Sequence, residues 1–320
     1  MVKIAIAGGG GSLGQEVIDV LVATKKHDVT ILSRRDAPTE KSDSAVTWAK
    51  TNYSVDELTN ILQGVNVVIS FFAPSNDQAE AEKAQKALID ASIKAGVKRF
   101  APSEWVTKGG YENMASYAYK AKTRQYLEDI NKDGTVLEYC LFQPGLFCNY
   151  LTLPYQTSKH IVPIEMVFDF QNRRALIRDG GEDDHIAFTT VQDVANVVAR
   201  AVEFEGKWPV EGGMRGSRLS VREVIAIGEK IRGGRFDVEA LKMEDLRSGD
   251  YTSSWLPFPG HPSIAPEDKK AAAKMITSGM LTMIGTQSFD CGDEWNRLLP
   301  DYKFTAAEDF WAHVWKEGNW

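Results

Sequence analysis

The chain has 320 residues, of which 43% are hydrophobic and 25% charged, and its formal net charge is −7 at pH 7. This composition is typical of a folded globular protein and argues against extensive disorder. The negative charge disfavours a general affinity for nucleic acid or for an anionic membrane, because both need a basic surface. The length suits one large domain with an appended lobe, or two closely packed domains.

The apolar and cysteine content indicates a compartment. The longest apolar stretches are of strand length, so no membrane-spanning segment is expected. The first residues are interpreted as a core strand and lack the pattern of a signal peptide, so we expect a cytoplasmic protein. Three cysteines without C-x-x-C spacing suit a reducing environment, and the five histidines are scattered. No metal site is therefore expected.

An apolar strand, a glycine-rich turn and an amphipathic helix open the chain. Backbone N–H groups at such a helix start face an anion, and the helix dipole strengthens the attraction for a pyrophosphate. The spacing fits Gly8-x-x-Gly11-x-x-Gly14, although Gly9 and Gly10 leave the G-x-G-x-x-G form open. The alternative is a flexible glycine turn before an ordinary helix. The residues expected at the phosphates are Gly8, Gly11, Ser12, Leu13 and Gly14.

Basic side chains end the second predicted strand, which covers residues 29–32. Arg34 and Arg35 occupy the place where an NAD-specific protein has an acidic residue for the ribose hydroxyls. Guanidinium groups there suit the 2′-phosphate of NADP, with Arg34 as the expected direct contact and Lys41 as an auxiliary. Because Asp36 follows immediately, a solvated basic turn remains the alternative. The sequence therefore predicts NADP(H) as the cofactor.

Strands alternate with helices as far as residue 142. After a short strand at 45–49, a capping box formed by Ser54 and Glu57 is expected to open a helix that ends near Gln63. Further strands are predicted over residues 65–72, 97–101 and 136–142, and further helices over residues 76–95 and 114–131. This order predicts an α/β Rossmann fold with a doubly wound parallel sheet and right-handed crossovers.

The ligand of such a sheet lies beyond the carboxyl ends of its strands. This rule places residues 71–75, 102–105 and 143–147 around one crevice with the glycine turn. Beyond Pro144 and Gly145 the alternation weakens, and glycines and prolines break the remainder into shorter pieces. We expect an NADP-binding domain over residues 1–150 and a smaller, mixed α/β substrate lobe over residues 151–320. Some elements of that lobe are expected to pack back on the sheet.

Two segments resemble isoflavone reductase-like proteins: residues 98–105, KRFAPSEW, and residues 119–124, YKAKTR. These proteins are atypical short-chain dehydrogenases that include phenylcoumaran benzylic ether and pinoresinol–lariciresinol reductases. Residues 143–149, QPGLFCN, resemble the NmrA-type branch of the same superfamily. The resemblance covers nearly the whole chain, because features of residues 178–193 and 302–305 also recur there.

The resemblance implies an NADPH-dependent reductase of a small aromatic or phenolic substrate of the enone, quinone methide or benzylic ether type. It also implies one lysine as general acid or base, which by motif position is Lys120. Hydride delivery leaves negative charge on an oxygen, and that oxygen needs a proton or a cation beside it. Desolvation would lower the pKa of such a lysine into a useful range. The alternative is a solvent-facing helix lysine, as expected for Lys122.

The expected site departs from ordinary short-chain dehydrogenases. Ser116 stands four residues before Lys120, so the usual Tyr-x-x-x-Lys pair is absent. Tyr117 shares the helical face of Lys120 and either assists it or packs. The crevice residues expected at the cofactor are Phe72, Lys120, Pro144 and Gly145. Those expected at the substrate, each of which core packing could equally explain, are Trp105, Tyr117, Phe147, Tyr150 and Met166.

Three functions stay open at the level of sequence. The leading prediction is an NADP-dependent oxidoreductase of secondary metabolism, present as a monomer or a homodimer. One alternative is an NmrA-type regulator that senses NADP(H) without turnover. The other is a redox-neutral isomerase or cyclase that uses the bound cofactor structurally. Retention of Lys120 favours the enzyme, because a pure sensor has no need of it.

Overall fold

Two compact units divide the chain. The structure, a computed structural model, describes residues 1–37, 46–72, 77–258 and 266–318. Lys41 and part of the expected crevice segment at 71–75 lie outside these ranges. The first unit comprises Met1–Trp105, Ala115–Gln143 and Val194–Gly212, and the second comprises Val106–Met114, Pro144–Asp193 and Gly213–Trp320. Residues 194–212 thus belong to the first unit although they follow the expected boundary at residue 150.

Apart from the successive strands β2 and β3, strands and helices alternate among the described residues up to the fourth helix, and shorter strands cluster after it. The strands, in chain order, are β1 (Val2–Ala7), β2 (His27–Ser33), β3 (Val46–Lys50), β4 (Val67–Ser70), β5 (Arg99–Ala101), β6 (Glu138–Tyr139), β7 (Leu141–Gln143), β8 (Leu146–Phe147), β9 (Phe168–Asp169), β10 (Arg174–Arg178), β11 (His185–Thr189), β12 (Glu211–Gly213), β13 (Ser217–Ser220) and β14 (Asp237–Leu241). The α-helices are α1 (Ser12–Ala23), α2 (Val55–Ile61), α3 (Gln78–Lys94), α4 (Ala118–Asn131), α5 (Val191–Glu203), α6 (Val221–Arg232), α7 (Met243–Ser248), α8 (Lys269–Gly285), α9 (Glu294–Leu298) and α10 (Ala307–Glu317).

The first unit is built on a six-stranded sheet in the order β3-β2-β1-β4-β5-β6. Every neighbouring pair in it is parallel. The strand order reverses beside β1, which confirms the predicted doubly wound Rossmann arrangement. In such a sheet the turn after β1 lies at the switch point, where ligands bind.

Three helices cover one face of this sheet. Leu58 of α2, Leu88 of α3 and Leu127 of α4 have no exposed surface and share one cluster with Val68 and Phe100 of the strands. All four residues of β4 are buried, as parallel strands covered on both faces require. Burying each large apolar side chain stabilises the fold by about 1.5–3 kcal/mol. The continuous apolar runs of the sequence therefore decide which strands lie at the centre.

The single strand predicted over residues 136–142 is wrong. Its first part is β6, which pairs with β5, and Cys140 N still donates to Phe100 O at 3.1 Å. At the next residue the chain changes partner, because Leu141 N donates to Val210 O at 2.8 Å. The second part, β7, thus pairs with β12 instead of the parallel sheet. The helix predicted from residue 114 also begins later, after a short 3-10 turn at Ala115–Tyr117.

The capping box predicted at the start of α2 is absent. Ser54 occupies the N-cap position, yet its side chain makes no capping hydrogen bond. Glu57 turns back to the preceding loop instead, where its carboxylate accepts from Thr51 Oγ1 at 3.0 Å and from Asn52 N at 2.8 Å. The sequence pattern fails here because the loop offers the glutamate better donors than the N-cap does.

The second unit contains two three-stranded sheets of mixed direction, in the orders β14-β10-β9 and β13-β11-β8. Its core is aromatic: Trp311 of α10 packs edge-on against Phe170 and Phe188, with ring centroids 5.3 and 5.1 Å away. The indole N–H of Trp311 donates to Cys148 O at 2.9 Å. This unit has the mixed α/β character predicted for the lobe, although it is not the smaller of the two units.

A capping box is present in the second unit, at the start of α6. Ser220 Oγ accepts from Glu223 N at 3.2 Å, and the Glu223 carboxylate accepts from Ser220 N at 2.7 Å. Residues 219–223 contain the end of β13 and the start of α6. None of the helices in the described ranges combines the length and the apolar character that a bilayer crossing requires.

The two serines at helix starts allow a paired test of the fold. Replacing Ser220 with alanine removes an N-cap hydrogen bond, so we expect the free energy of unfolding to fall by about 1 kcal/mol. Ser54→Ala removes no such bond and should leave it nearly unchanged. Urea denaturation of both variants and the wild type measures the difference. Equal losses in the two variants would contradict the assignment of the caps.

Candidate functional site

The turn between β1 and α1 has no room for side chains at two of its glycines. Gly8 has a φ of +73°, and a Cβ atom there would lie 2.5 Å from the carbonyl oxygen of Phe71. A Cβ on Gly14 would lie 2.9 Å from both Gly8 O and Gly9 Cα. At Gly10 the nearest atom would be 3.9 Å away, so a side chain would fit. The backbone therefore needs glycine at the first and last positions of Gly8-x-x-Gly11-x-x-Gly14.

The first turn of α1 offers its N–H groups to an anion. Gly11 is the N-cap, and among the described residues no side chain caps this helix. Gly11 N donates to Gly8 O at 3.0 Å, which closes the turn. The N–H groups of Ser12, Leu13 and Gly14 have no partner within the helix, and the first turn carries no acidic residue. A dinucleotide pyrophosphate fits this arrangement, because its charge is complementary and the glycines leave it space.

The predicted arginines lie at the same edge of the sheet. Ala7 of β1 is level with Leu32 of β2, so the residues after β2 come out beside the glycine turn. Arg34 is 71% exposed, and its guanidinium lies 3.7 Å from the carboxylate of Glu80. Asp36 is held by Lys50 at 2.8 Å, and this hydrogen bond lowers the pKa of its carboxyl. The acidic residue that follows the arginines is thus neutralised by its own partner.

Lys120 lies inside the first unit, in the first turn of α4. Only 3% of it is exposed, and its Nζ donates to Glu104 O at 2.5 Å. The amine also lies 4.6 Å from the ring centre of Tyr117. Burial lowers the pKa of Lys120 to about 8; the charge of Glu104 raises it, and that of Arg124 lowers it further. An amine with this pKa can both give and take a proton near neutral pH.

The neighbouring lysine behaves differently. Lys122 is 65% exposed and pairs with Glu82 at 2.6 Å on the surface. It is the solvent-facing helix lysine that the sequence led us to expect. The two lysines of the same segment thus occupy opposite surroundings, and only Lys120 has the burial that changes an amine's protonation.

Two tyrosines flank Lys120 and are neutral at physiological pH. Desolvation raises the pKa of Tyr117 to about 12, and burial raises that of Tyr119 to about 12. Tyr117 therefore contributes its ring to the amine and not a phenolate. Tyr119 OH donates to Phe72 O at 3.4 Å, and Ser103 Oγ donates to the same oxygen at 2.7 Å. These bonds hold Phe72 at the carboxyl end of β4, beside the glycine turn.

Trp105 belongs to the core of the first unit. Its indole lies between Phe71 and Phe142, stacked at centroid distances of 4.5 and 5.2 Å. Its N–H donates to Ser70 O at 2.7 Å, and only 6% of the residue is exposed. Both faces of the ring are therefore covered by protein. A substrate contact at Trp105 stays a prediction, and this packing does not favour it.

The remaining substrate candidates lie in the second unit. Phe147 is 7% exposed and packs on Tyr150 with ring centroids 5.5 Å apart. Tyr150 and Met166 line the same cavity, whose volume is about 10 Å³. That volume is close to the minimum for one water molecule and cannot hold an aromatic ring. The structure brings these two residues together, and their contact with a substrate stays a prediction.

Pro144 and Gly145 also lie in the second unit, where they pack against β11. Pro144 O accepts from Thr189 Oγ1 at 2.6 Å. Gly145 has a φ of +70°, and a Cβ there would lie 2.1 Å from Ala187 O. This close approach alone requires glycine at residue 145. A cofactor contact at these two residues stays a prediction.

An ion pair that was not predicted from the sequence contacts Lys120 through the main chain of Glu104. Arg124 Nη2 lies 2.6 Å from Glu104 Oε2, and the side chains are 14% and 1% exposed. The spacing of four residues between Lys120 and Arg124 puts both on one face of α4, which is a signal that could have drawn attention to it. Within the described ranges, no cluster of acidic, histidine or cysteine side chains has the make-up of a metal site.

Burial of the amine predicts a pH-dependent stability. Between pH 8 and the ordinary lysine value of 10.5 the unfolded chain binds a proton that the folded protein has lost. The stability of the wild type should therefore rise with pH across this window, relative to that of Lys120→Met. The relative gain is on the order of 3 kcal/mol. Urea denaturation of both proteins at several pH values measures it, and a constant difference would contradict the buried amine.

Known proteins share this fold and sequence pattern. The chain is 29% identical over 313 residues to the oxidoreductase BOA1 of Botryotinia fuckeliana, covering 97% of this chain and 100% of that protein. The NADPH complex of the NADPH-dependent quinone oxidoreductase QOR2 from Escherichia coli has a similar fold, with a TM-score of 0.68, 20% identity and coverage of 97% and 99%. AtPrR2 with NADP+ and (+)-pinoresinol gives a TM-score of 0.66, 18% identity and 98% coverage of both chains.

The likeness to the two solved structures establishes the Rossmann-type fold. Family membership comes from the sequence itself. The pattern of the NmrA-like family matches residues 2–262, which include the glycine turn, the arginines after β2 and Lys120. The chain therefore belongs to the NmrA-like family.

Proposed function

We propose that the protein is an NADP(H)-dependent oxidoreductase that acts on a small aromatic or phenolic substrate, with Lys120 as general acid or base. The observation that carries this proposal is the buried amine of Lys120. It belongs to the same unit as the turn after β1, whose N–H groups offer an anion site. A sensor that only binds a dinucleotide has no use for a lysine held out of water. The names of BOA1 and QOR2 as oxidoreductases support the same reaction class.

The cofactor site is proposed from the charge and space of the first unit. Gly8, Gly11 and the N–H groups of residues 12–14 would hold the pyrophosphate, and Arg34 with Arg35 would bind the 2′-phosphate. Bound NADP(H) supplies or accepts a hydride. The complexes of QOR2 with NADPH and of AtPrR2 with NADP+ support NADP(H) over NAD(H). Phe72, Lys120, Pro144 and Gly145 are proposed as further contacts.

The proposed role of Lys120 follows from how its amine is held. The carbonyl of Glu104 accepts one N–H, which fixes the direction of the other two. A protonated amine can donate to a substrate oxygen as negative charge develops on it. Tyr117 stays a neutral phenol beneath the amine and keeps water from that side. The substrate proposed for this chemistry is an enone, a quinone methide or a benzylic ether, as the pinoresinol complex of AtPrR2 suggests.

Cofactor preference tests the arginines. We expect NADPH to bind more tightly than NADH. Arg34→Ala should weaken NADPH binding by about 10- to 100-fold, because a charged hydrogen bond to the 2′-phosphate is lost. The same variant should leave NADH binding unchanged. Arg222→Ala is the matched control, because the Arg222 side chain is 65% exposed and also has a carboxylate partner. Titration calorimetry measures each dissociation constant. Equal affinities for the two nucleotides in the wild type would rule out the NADP-specific site.

Turnover tests Lys120. With a panel of phenolics, quinones and enones, and with NADPH at saturation, we expect Lys120→Met to lower kcat by about 10²- to 10⁴-fold, because proton transfer is lost. The exposed Lys122→Met is the control and should keep wild-type kcat. Loss of nicotinamide absorbance follows the reaction. Full turnover in Lys120→Met would reject the assignment, and tight NADPH binding without turnover of any compound would favour the sensor.

A further inference from the structure

A carboxylate and a guanidinium form a buried pair in the first unit. Glu104 follows the end of β5, and Arg124 comes from α4. Two nitrogens of Arg124 approach one oxygen of Glu104, Nη2 at 2.6 Å and Nε at 3.1 Å. The carboxylate is 1% exposed and the guanidinium side chain 14%. Charges so far from water interact strongly with any other charge near them.

The same glutamate holds the amine of Lys120 through its main chain. Its carbonyl oxygen accepts from Lys120 Nζ, while its carboxylate binds Arg124. Arg124 lies one helical turn after Lys120 on α4, so both cations reach Glu104 from one helix face. Glu104 N also donates to Pro102 O at 2.8 Å, which folds the main chain at this point. One residue thus joins an amine and a guanidinium through two different groups.

We propose that Glu104 and Arg124 are positioning residues that act through Lys120. The pair fixes the main chain at Glu104, and hence the direction of the amine, while its two opposite charges set how readily the amine holds a proton. The inference rests on the proposed function, because it concerns the residue that we place at the reacting oxygen. The two charges act on the amine in opposite senses: Glu104 raises the pKa of Lys120 and Arg124 lowers it, while burial brings it to about 8.

A second ion pair shows what a purely structural pair looks like. Arg99 at the start of β5 binds Glu138 at 3.2 Å, with side chains 15% and 22% exposed. Arg99 also donates to Phe204 O and Gly206 O, each at 2.6 Å. Its guanidinium therefore connects β5 to the segment that follows α5. The pair lies at the opposite end of the same strand from Glu104. Loss of this pair should destabilise the fold without changing the pKa of Lys120.

The charges around the amine make the test directional. Glu104 and Arg124 are the charged groups that shift Lys120, and the tyrosines at 117 and 119 are neutral because burial raises their pKa values. Glu104→Gln removes the anion at nearly constant shape, so the pKa of Lys120 should fall. Arg124→Met removes the cation and keeps the length of the side chain, so the pKa should rise. Each shift is expected to be on the order of one pH unit.

An NMR titration of protein labelled at its lysine side chains measures this pKa directly. The Lys120 signal is identified by its absence in Lys120→Met. No substrate or turnover is needed, so the result does not depend on the proposed function. Arg99→Met is the matched control and should leave the titration midpoint of Lys120 where it is in the wild type. In active protein, the pH profile of kcat should move in the same two directions at unchanged KM for NADPH.

Two further variants keep the test decisive if a lone buried charge prevents folding. Arg124→Lys keeps the cation and should restore the wild-type midpoint. The double variant Glu104→Gln with Arg124→Met leaves no isolated charge, and its midpoint should lie between those expected for the two single variants. If the midpoint of Lys120 shifts in opposite directions in the two single variants but the protein turns over no substrate, the positioning role is supported and the reductase is rejected. Turnover with midpoints that do not move, or that move together, would overturn the positioning role alone.

Discussion

The backbone packs too closely after β1 to admit a side chain, and much of the first unit follows from that. Methyl groups on Gly8 and Gly14 would meet main-chain atoms at 2.5 and 2.9 Å. Because the turn is held this tightly, α1 begins within five residues of the strand and directs its first N–H groups to the edge of the sheet. The residues after β4 lie beside this turn. There the hydroxyl groups of Ser103 and Tyr119 donate hydrogen bonds to the carbonyl oxygen of Phe72.

Positive charge occurs in this unit in two chemically different states. Arg34 is largely in water, so its guanidinium keeps a fixed charge whose attraction for an anion is screened by salt. Lys120 is almost completely buried, so its amine can change charge near neutral pH. A fixed and exposed charge suits the recognition of a phosphate, whereas a variable and buried one suits proton transfer. The two tasks need opposite surroundings, and one sheet supplies both.

The parallel sheet and the glycine turn could be predicted because their signals lie in neighbouring residues. Errors arose where segments compete for a partner: residues 136–142 divide between two strands, and Glu57 binds the loop ahead of its helix. The spacing of Lys120 and Arg124 places both on one helix face, but the glutamate that both contact could not be predicted, for another reason. Glu104 and Arg124 are 20 residues apart, and no local pattern says that their charges meet. Trp105 at a strand end suggested a pocket, and only the fold shows its two faces covered.

The path of the chain between the two units has a consequence for biosynthesis. Residues 194–212 complete the first unit, since Leu141 of β7 bonds to Val210 there and Arg99 bonds to Phe204 and Gly206. A ribosome therefore delivers the sheet and its glycine turn well before the last segment of the first unit. Residues 144–193 of the other unit are made between β7 and this segment, so β7 lacks its partner β12 during that time. A fragment cut after residue 150 would carry the glycine turn and Lys120 on an incomplete first unit.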